Sequence, residues 1–335
     1  MIVNKKYKGF VPSAGLGTRL MPLTEAVAKP ALPYLGIAAL NYPLHWLTQA
    51  GITDIAVNAH YKPESITSIA LAFKGESKEA KVHVSMETTL LGTGGAFKPL
   101  ESWRENMNLM SYNPDIIADI DLLAAIARHE EAKPVATLVL LPQTRPGTPP
   151  VLVKNGLVVG LGKDQRAAKE AGIQKCYGAA IFILSKDFFK YLPATEVSSL
   201  TTGLEAVLAD KGKIAAYFHH GHWTDFGESI QTYWECHFEI LKKMSTQTLK
   251  RSGTTALQLQ FGKSATLKPS ALISDAAEVH ETAEIMKHVM ICDQVKVGKN
   301  AKLSNCMLLE GSVIADGEQI KNMIVTAKHR LPIQV

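Results

Sequence analysis

Residues 13–33 read SAGLGTRLMPLTEAVAKPALP and carry the side chains whose types and spacing best suit chemistry. Gly15 and Gly17 let a backbone approach phosphate oxygens and turn its N–H groups toward them. Arg19 lies two residues beyond Gly17, and Lys29 stands before Pro30, so one loop combines a phosphate cradle with two fixed positive charges. A dinucleotide-binding GxGxxG turn is excluded because Leu20 occupies the place of the third glycine. A Walker A loop is excluded because no GK[ST] follows.

The pattern GxGTRLxPLTxxxxKPxLP resembles the N-terminal signature of the sugar-phosphate nucleotidylyltransferases, and the likeness continues to about residue 245. That resemblance implies that Arg19 and Lys29 bind the triphosphate and stabilise the transferred nucleotidyl group, with Ala14, Gly15, Gly17 and Thr18 along the phosphates. Ala28 departs from the family, which often has Pro before its Lys-Pro pair; the change bears on loop stiffness more than on chemistry.

Such chemistry uses a divalent cation, and Mg2+ takes oxygen ligands, typically one or two carboxylates with phosphates and water. NLMSYNPDIIADIDL resembles the family strand that ends in Asn-Gly-Asp, and HWTDFG resembles its Trp-x-Asp-hydrophobic-Gly, which implies Asp115 and Asp225 as the metal ligands. Read alone, both aspartates are turn residues. Pro114 replaces the family glycine, removing an N–H and fixing φ beside Asp115. METTLLGTGGAFK resembles the loop that reads the nucleobase, which implies Gly92 and Thr93 as nucleotide contacts and Glu87 at the Watson–Crick edge. A carboxylate only accepts, and guanine offers adjacent N1–H and N2–H donors, so Glu87 leans toward GTP; a solvated strand-end charge is the other reading. The sugar motifs are eroded: Lys163 stands where the family lysine touches the sugar phosphate but is flanked by Gly162 and Asp164, and Gly178 replaces an asparagine. Lys163 is equally readable as a surface lysine. Asp119 and Asp121 are expected to cap the helix LLAAIARHEE, and His219, His220 and His222 to lie at a partly exposed strand end rather than on a metal.

The elements that position these residues follow from two textures. Up to about Met244, β-rich runs alternate with helical ones: GFVPSA then residues 40–50, DIAVNA then 64–73, KVHVSME then 103–107, NLMSY then 122–131, and ATLVLLP. The alternation predicts parallel strands with crossover helices, a Rossmann-like α/β/α sandwich with its ligand site at the carboxyl ends of the strands. Ile230, Trp234, Phe238 and Leu241 predict an amphipathic helix closing this domain.

Beyond it the period becomes six, with apolar residues at Phe261, Leu267, Ile273, Val279, Ile285, Ile291, Val297, Leu303 and Leu309. A second series, mostly small, runs from Ala265 through Ala271, Ala277, Ala283, Val289, Val295, Ala301 and Met307 to Val313. Neither a helix nor a flat strand keeps that register, so three short strands per coil are expected, a texture that resembles the hexapeptide repeats of a short left-handed parallel β-helix. The expected domains are 1–248, catalytic, and 249–335, hexapeptide repeats, the final GEQIKNMIVTAKHRLPIQV capping the stack.

Composition narrows the function class. An apolar fraction of 46% and a charged fraction of 20% support a sizeable core, and no run of about 18 uncharged apolar residues could span a bilayer. The net charge of +5 is dispersed, without the dense basic tract of a nucleic-acid arm, so a phosphorylated small molecule is the expected partner, with neither nucleic acid nor membrane. Four cysteines without CxxC or metal-ligand spacing, and an N-terminus without an export pattern, point to a reduced, cytoplasmic setting.

Family members that join this domain to a short hexapeptide tail resemble mannose-1-phosphate guanylyltransferases, which implies GTP, mannose 1-phosphate and Mg2+, and a homo-oligomer formed through the β-helix. The alternatives are uridylyl or thymidylyl transfer from UTP or dTTP to another hexose 1-phosphate, and a non-catalytic regulatory homologue that senses nucleotide sugars. A β-helix acyltransferase using His280 or His288 is disfavoured because three coils give little length for a cleft.

Overall fold

The apolar runs YKGFV, DIAVNA, KVHVSM and NLMSY form strands at Tyr7–Val11, Asp54–Ala59, Lys81–Met86 and Asn108–Tyr112. The structure, a computed structural model, describes residues 4, 6–76, 80–162, 171–193, 197–243, 265–268 and 271–334. It divides into two compact units: the chain up to Leu16 with Pro43–Trp223, and Gly17–Tyr42 with the chain from Thr224 onward. The boundary expected at 248/249 falls outside the described residues.

The first unit is built on a nine-stranded sheet in the order Lys81–Met86, Asp54–Ala59, Tyr7–Val11, Asn108–Tyr112, Gln174–Leu184, Ala136–Leu141, Ile214–Phe218, Leu157–Leu161, Val151–Lys154. The first four are parallel, so their carboxyl ends lie along one edge and deliver Ser13, Asn58, Glu87 and Asp115 there. Tyr7–Val11 and Ala136–Leu141 are buried along their whole length, as strands covered on both faces must be. The sheet is mixed rather than wholly parallel, because Gln174–Leu184 runs antiparallel to both its neighbours. The chain reaches it from the hairpin of Val151–Lys154 with Leu157–Leu161, whereas a parallel neighbour needs a crossover. The helix expected over 103–107 is shorter and earlier, Glu101–Arg104, and ends at Glu105 with φ +58.

The helix Leu122–Ala132 packs the imidazole of His129 into this unit, 4% exposed, with Nδ1 at 2.8 Å from Thr137 Oγ1. Burial pushes its pKa down to about 4. In the second unit burial likewise lowers His237, on the helix Ile230–Lys243, to about 4. Between pH 6.5 and 4 the unfolded chain therefore binds protons that the folded chain refuses, so stability falls as pH falls through that window. Each imidazole is expected to contribute roughly 2–3 kcal/mol to the loss. Urea denaturation at about pH 7 and about pH 4.5, on either side of most of that window, checks this. His129→Gln should lessen the difference in stability between the two pH values, and an undiminished difference would refute it.

In the second unit, Trp234 and Phe238 of Ile230–Lys243 are buried one turn apart and stack at 4.3 Å between ring centroids. The six-residue texture becomes stacked strands. Ala271–Ser274, Val289–Ile291, Lys302–Leu308 and Gln319–Val325 form one parallel series, and Glu278–Val279, Lys296–Val297 and Val313–Ile314 another, the arrangement of a parallel β-helix. Ile273 pairs with Ile291, Val279 with Val297 and Ile285 with Leu303, so the first coil keeps the expected eighteen-residue repeat. The next coil is one residue shorter: Ile291 pairs with Leu308, not Leu309, and Val297 with Ile314. Val313, expected in the second apolar series, is consequently 59% exposed beside a buried Ile314.

The missing residue is lost at a corner where His288, Asn305 and Asn322 stack with φ of 56°, 47° and 55°. Asn305 links the ladder, with Oδ1 at 2.9 Å from His288 Nδ1 and Nδ2 donating to Asn322 Oδ1 at 3.2 Å. Asparagine tolerates this left-handed conformation better than most side chains. Arg330–Pro332 folds back antiparallel on Gln319–Val325 and ends the stack. Phe261, at the head of the expected series, lies outside the described residues.

Candidate functional site

The glycine-turn segment of the second unit is a string of three single 3-10 turns, Thr18–Leu20, Leu23–Glu25 and Lys29–Ala31. Buried Leu20, Leu23, Ala28 and Leu32 pin it from beneath, while Thr18 and Arg19 are exposed and Lys29 is half-buried. Apolar anchoring thus holds two basic side chains on a loop whose path is otherwise irregular. Its far end is secured by the helix Ile230–Lys243, where Tyr233 Oη donates to Pro33 O at 2.5 Å and His237 Nε2 lies 3.1 Å from the same oxygen. Phe226 stacks on Tyr34 with centroids 6.0 Å apart, and the adjoining Asp225 accepts the Gly227 N–H on Oδ1 at 2.8 Å. Arg19, Lys29 and Asp225 therefore belong to one unit.

Gly17 has φ +65, and a Cβ there would sit 3.0 Å from Thr24 Cγ2 and 3.1 Å from Lys29 Cβ; around Gly15 nothing lies within 4 Å. The two glycines therefore differ: Gly17 is required by its backbone conformation and close packing, whereas the space around Gly15 is open. Gly15→Ala is expected to leave the melting temperature nearly unchanged but weaken nucleotide binding about tenfold, whereas Gly17→Ala should cost about 1–2 kcal/mol of stability. Calorimetric melting and nucleotide titration of both variants separate the two effects.

In the first unit, Asp115 is 5% exposed and follows the strand Asn108–Tyr112. Ile116 N–H donates to Asn113 O at 3.2 Å, so Pro114 occupies the second position of a turn, where its fixed φ is accommodated and its missing N–H is not required. Asn113 N–H in turn donates to Ala180 O, at a bulge where Ala180 has φ +58. Asp121 caps Leu122–Ala132, accepting from Ala124 N–H at 2.9 Å, but Asp119 does not. Asp119 instead pairs with His219 at 3.2 Å, and its N–H donates to His222 O. His219 is accordingly buried, unlike the exposed His220 and His222. No group of three or more His, Cys, Asp or Glu is placed to hold a metal among the described residues.

Glu87 is 7% exposed, and both its oxygens are engaged: Oε1 accepts from Asn58 Nδ2 at 2.6 Å and Oε2 from Leu91 N–H at 3.2 Å. Asn58, 3% exposed, extends the link by accepting Ser13 and Ala14 N–H on Oδ1 at 2.5 and 3.3 Å. Ala14 and Glu87 are thus brought together through a residue not singled out from the sequence. Its signal was a polar side chain inside the otherwise apolar run DIAVNA. The turn Gly92–Gly95 docks on the start of the helix Leu200–Ala209: Gly94 N–H donates to Ser198 O at 2.8 Å, and exposed Thr93 accepts Leu200 N–H on Oγ1 at 3.1 Å. Thr93 braces this junction as well as lying on the expected nucleotide loop. Lys163 lies outside the described residues.

A family model described as Nucleotidyl transferase matches residues 8–243, and one described as GMPPB C-terminal domain matches residues 267–333. A mannose-1-phosphate guanyltransferase from Emericella nidulans is 28% identical, with 95% of this chain and 85% of the relative covered. A mannose-1-phosphate guanylyltransferase from Mycobacterium tuberculosis is 25% identical, covering 92% and 79%. A UTP–glucose-1-phosphate uridylyltransferase from Synechocystis is 23% identical, covering 92% and 81%. A solved structure described as a glucose-1-phosphate thymidylyltransferase from Bacillus anthracis shares the fold at 19% identity, with a TM-score of 0.59 over 69% of this chain and 94% of that one.

Proposed function

The chain belongs to the nucleotidyl transferase family, and from that membership we propose that it joins GTP to mannose 1-phosphate, giving GDP-mannose and pyrophosphate. The observation that carries the chemistry is the anchored loop, which presents Arg19 and Lys29 beyond a glycine turn open to a phosphate. The guanine and mannose preferences are supported by relatives matched over 95% of the chain and by the likeness of its C-terminal domain.

A phosphate oxygen of the sugar 1-phosphate attacks the α-phosphorus, the new P–O bond forms, and the bond to the leaving pyrophosphate breaks with its electron pair. The nucleophile is already anionic near pH 7, so no general base is needed, and the protein's task is to align two polyanions and offset their repulsion. Arg19 and Lys29 supply positive charge to the phosphates, and the turn at Gly15 and Gly17 supplies backbone N–H groups. Asp115 and Asp225 are the carboxylates this reading gives to the metal, and an all-oxygen donor set of that kind suits Mg2+. When bound, the cation supplies charge neutralisation at the transferred phosphate. The same reading has a cytoplasmic enzyme whose four buried cysteines stay reduced and whose stacked coils mediate self-association.

A screen of GTP, UTP, dTTP and ATP against mannose 1-phosphate and glucose 1-phosphate with Mg2+, read as pyrophosphate release, tests the proposal. GTP with mannose 1-phosphate is expected to be fastest. Faster release with UTP or dTTP would move the specificity to the glucose enzymes, and no release with any pair would favour a regulatory homologue.

A further inference from the structure

Parallel strands diverge beyond their last rung, and the N–H groups that follow lose their ladder partners. At the edge formed by Tyr7–Val11, Asp54–Ala59 and Lys81–Met86, a buried side-chain relay takes over. Asn58 Oδ1 accepts the Ser13 and Ala14 N–H groups, its Nδ2 donates to Glu87 Oε1, and Glu87 Oε2 accepts the Leu91 N–H. Glu87 is itself held by its main chain, with N–H donating to Ala59 O at 2.8 Å and O lying 3.0 Å from His60 Nδ1. The relay joins the two residues that lead into the glycine turn to the residue that opens the Gly92–Gly95 loop.

We propose that Asn58 is a positioning residue for nucleotide binding, and that Glu87 acts through Asn58 and the Leu91 N–H rather than by reading the nucleobase. The side-chain amide accepts with its oxygen and donates with its nitrogen, the two functions the relay needs in this place. Aspartate could accept from Ser13 and Ala14 but would set a second carboxylate against Glu87 in a buried site, and leucine could do neither. The relay sets the spacing of two segments that would grip one nucleotide, so disturbing it should raise the KM for the nucleotide more than that for the sugar phosphate.

The polarity of the relay can be reversed by combining Asn58→Asp with Glu87→Gln. The carboxylate introduced at the first position would accept from Ser13, Ala14 and the amide introduced at the second, and the carbonyl of that amide would accept from Leu91.

The experiment compares Asn58→Asp, Glu87→Gln and the double variant by steady-state kinetics and by amide hydrogen exchange of the free protein. Asn58→Asp is expected to raise the KM for the nucleotide about tenfold or more, with the sugar-phosphate KM within about threefold, and to speed exchange at Ser13, Ala14 and Leu91. The double variant should recover to within about threefold of the parent protein and regain exchange protection. Glu87→Gln alone should leave the order of nucleotide preference unchanged.

A double variant no better than Asn58→Asp, or a changed order of preference in Glu87→Gln, would overturn the proposal. If Asn58→Asp does not fold, folding of the double variant with protected amides supports the relay, and failure of both to fold overturns it. The kinetic arm rests on the nucleotidyl-transfer reading. Absence of pyrophosphate release by the parent protein would overturn that reading, and amide exchange alone would then decide the relay.

Discussion

Replacing Asp225 by alanine is expected to lower turnover by about a thousandfold or more while moving the melting temperature by only a few degrees. The small stability term follows from the hydrogen bond this carboxylate accepts from Gly227 N–H at 2.8 Å, whose loss is worth about 1 kcal/mol. The large kinetic term follows from charge. On the proposed reading two polyanions must approach closely, and removing the anionic oxygen that this reading gives to the counter-cation leaves their repulsion unscreened. Asp225→Asn separates the two contributions, because an amide oxygen still accepts from Gly227 but carries no charge. It should melt with the parent protein and remain slower by about a hundredfold or more. Turnover close to that of the parent in either variant would remove Asp225 from the metal assignment.

Gly94→Ala should disrupt the packing of the Gly92–Gly95 turn against the helix Leu200–Ala209. A Cβ at Gly94 would lie 2.6 Å from Ser199 C and 2.7 Å from Ser199 O. Both atoms are main chain at the start of Leu200–Ala209, so no rotamer change relieves the overlap. The Gly92–Gly95 turn must then separate from the helix, giving up the Gly94 N–H to Ser198 O bond and the support of Thr93 for Leu200 N–H. A destabilisation of about 3 kcal/mol is expected, with nucleotide affinity falling alongside it. Gly178→Ala is the matched control: nothing lies within 4 Å of its added Cβ, so its stability should stay within about 0.5 kcal/mol. Chemical denaturation of the two variants measures the contrast, and equal stabilities would refute the steric argument.

Much of this was legible in the chain itself because it is local. The glycine turn needs a positive φ at Gly17 and apolar anchors at Leu20, Leu23 and Leu32, all within one short segment. The alternation of strands and helices and the six-residue period are properties of neighbouring residues, and most of the expected elements formed, apart from the shifted helix Glu101–Arg104 and the shortened second coil. Asp121 as a helix cap is local in the same sense.

What tertiary structure alone decided involves partners distant in sequence. Asp119 was assigned to the helix it precedes, yet its carboxylate meets His219 across the fold. Glu87 Oε1 meets Asn58 Nδ2 because the sheet order sets Asp54–Ala59 between Tyr7–Val11 and Lys81–Met86, a donor that no local spacing announces. The shortened coil was invisible because Leu308 and Leu309 are both apolar, and only the pairing of Ile291 with Leu308 distinguishes them. Residue types and local spacing thus determined which groups could bind phosphate and which stretches form regular elements. Which donor each carboxylate meets was decided by strand order and register, since a side chain's partners depend on what the fold brings to its end of the sheet.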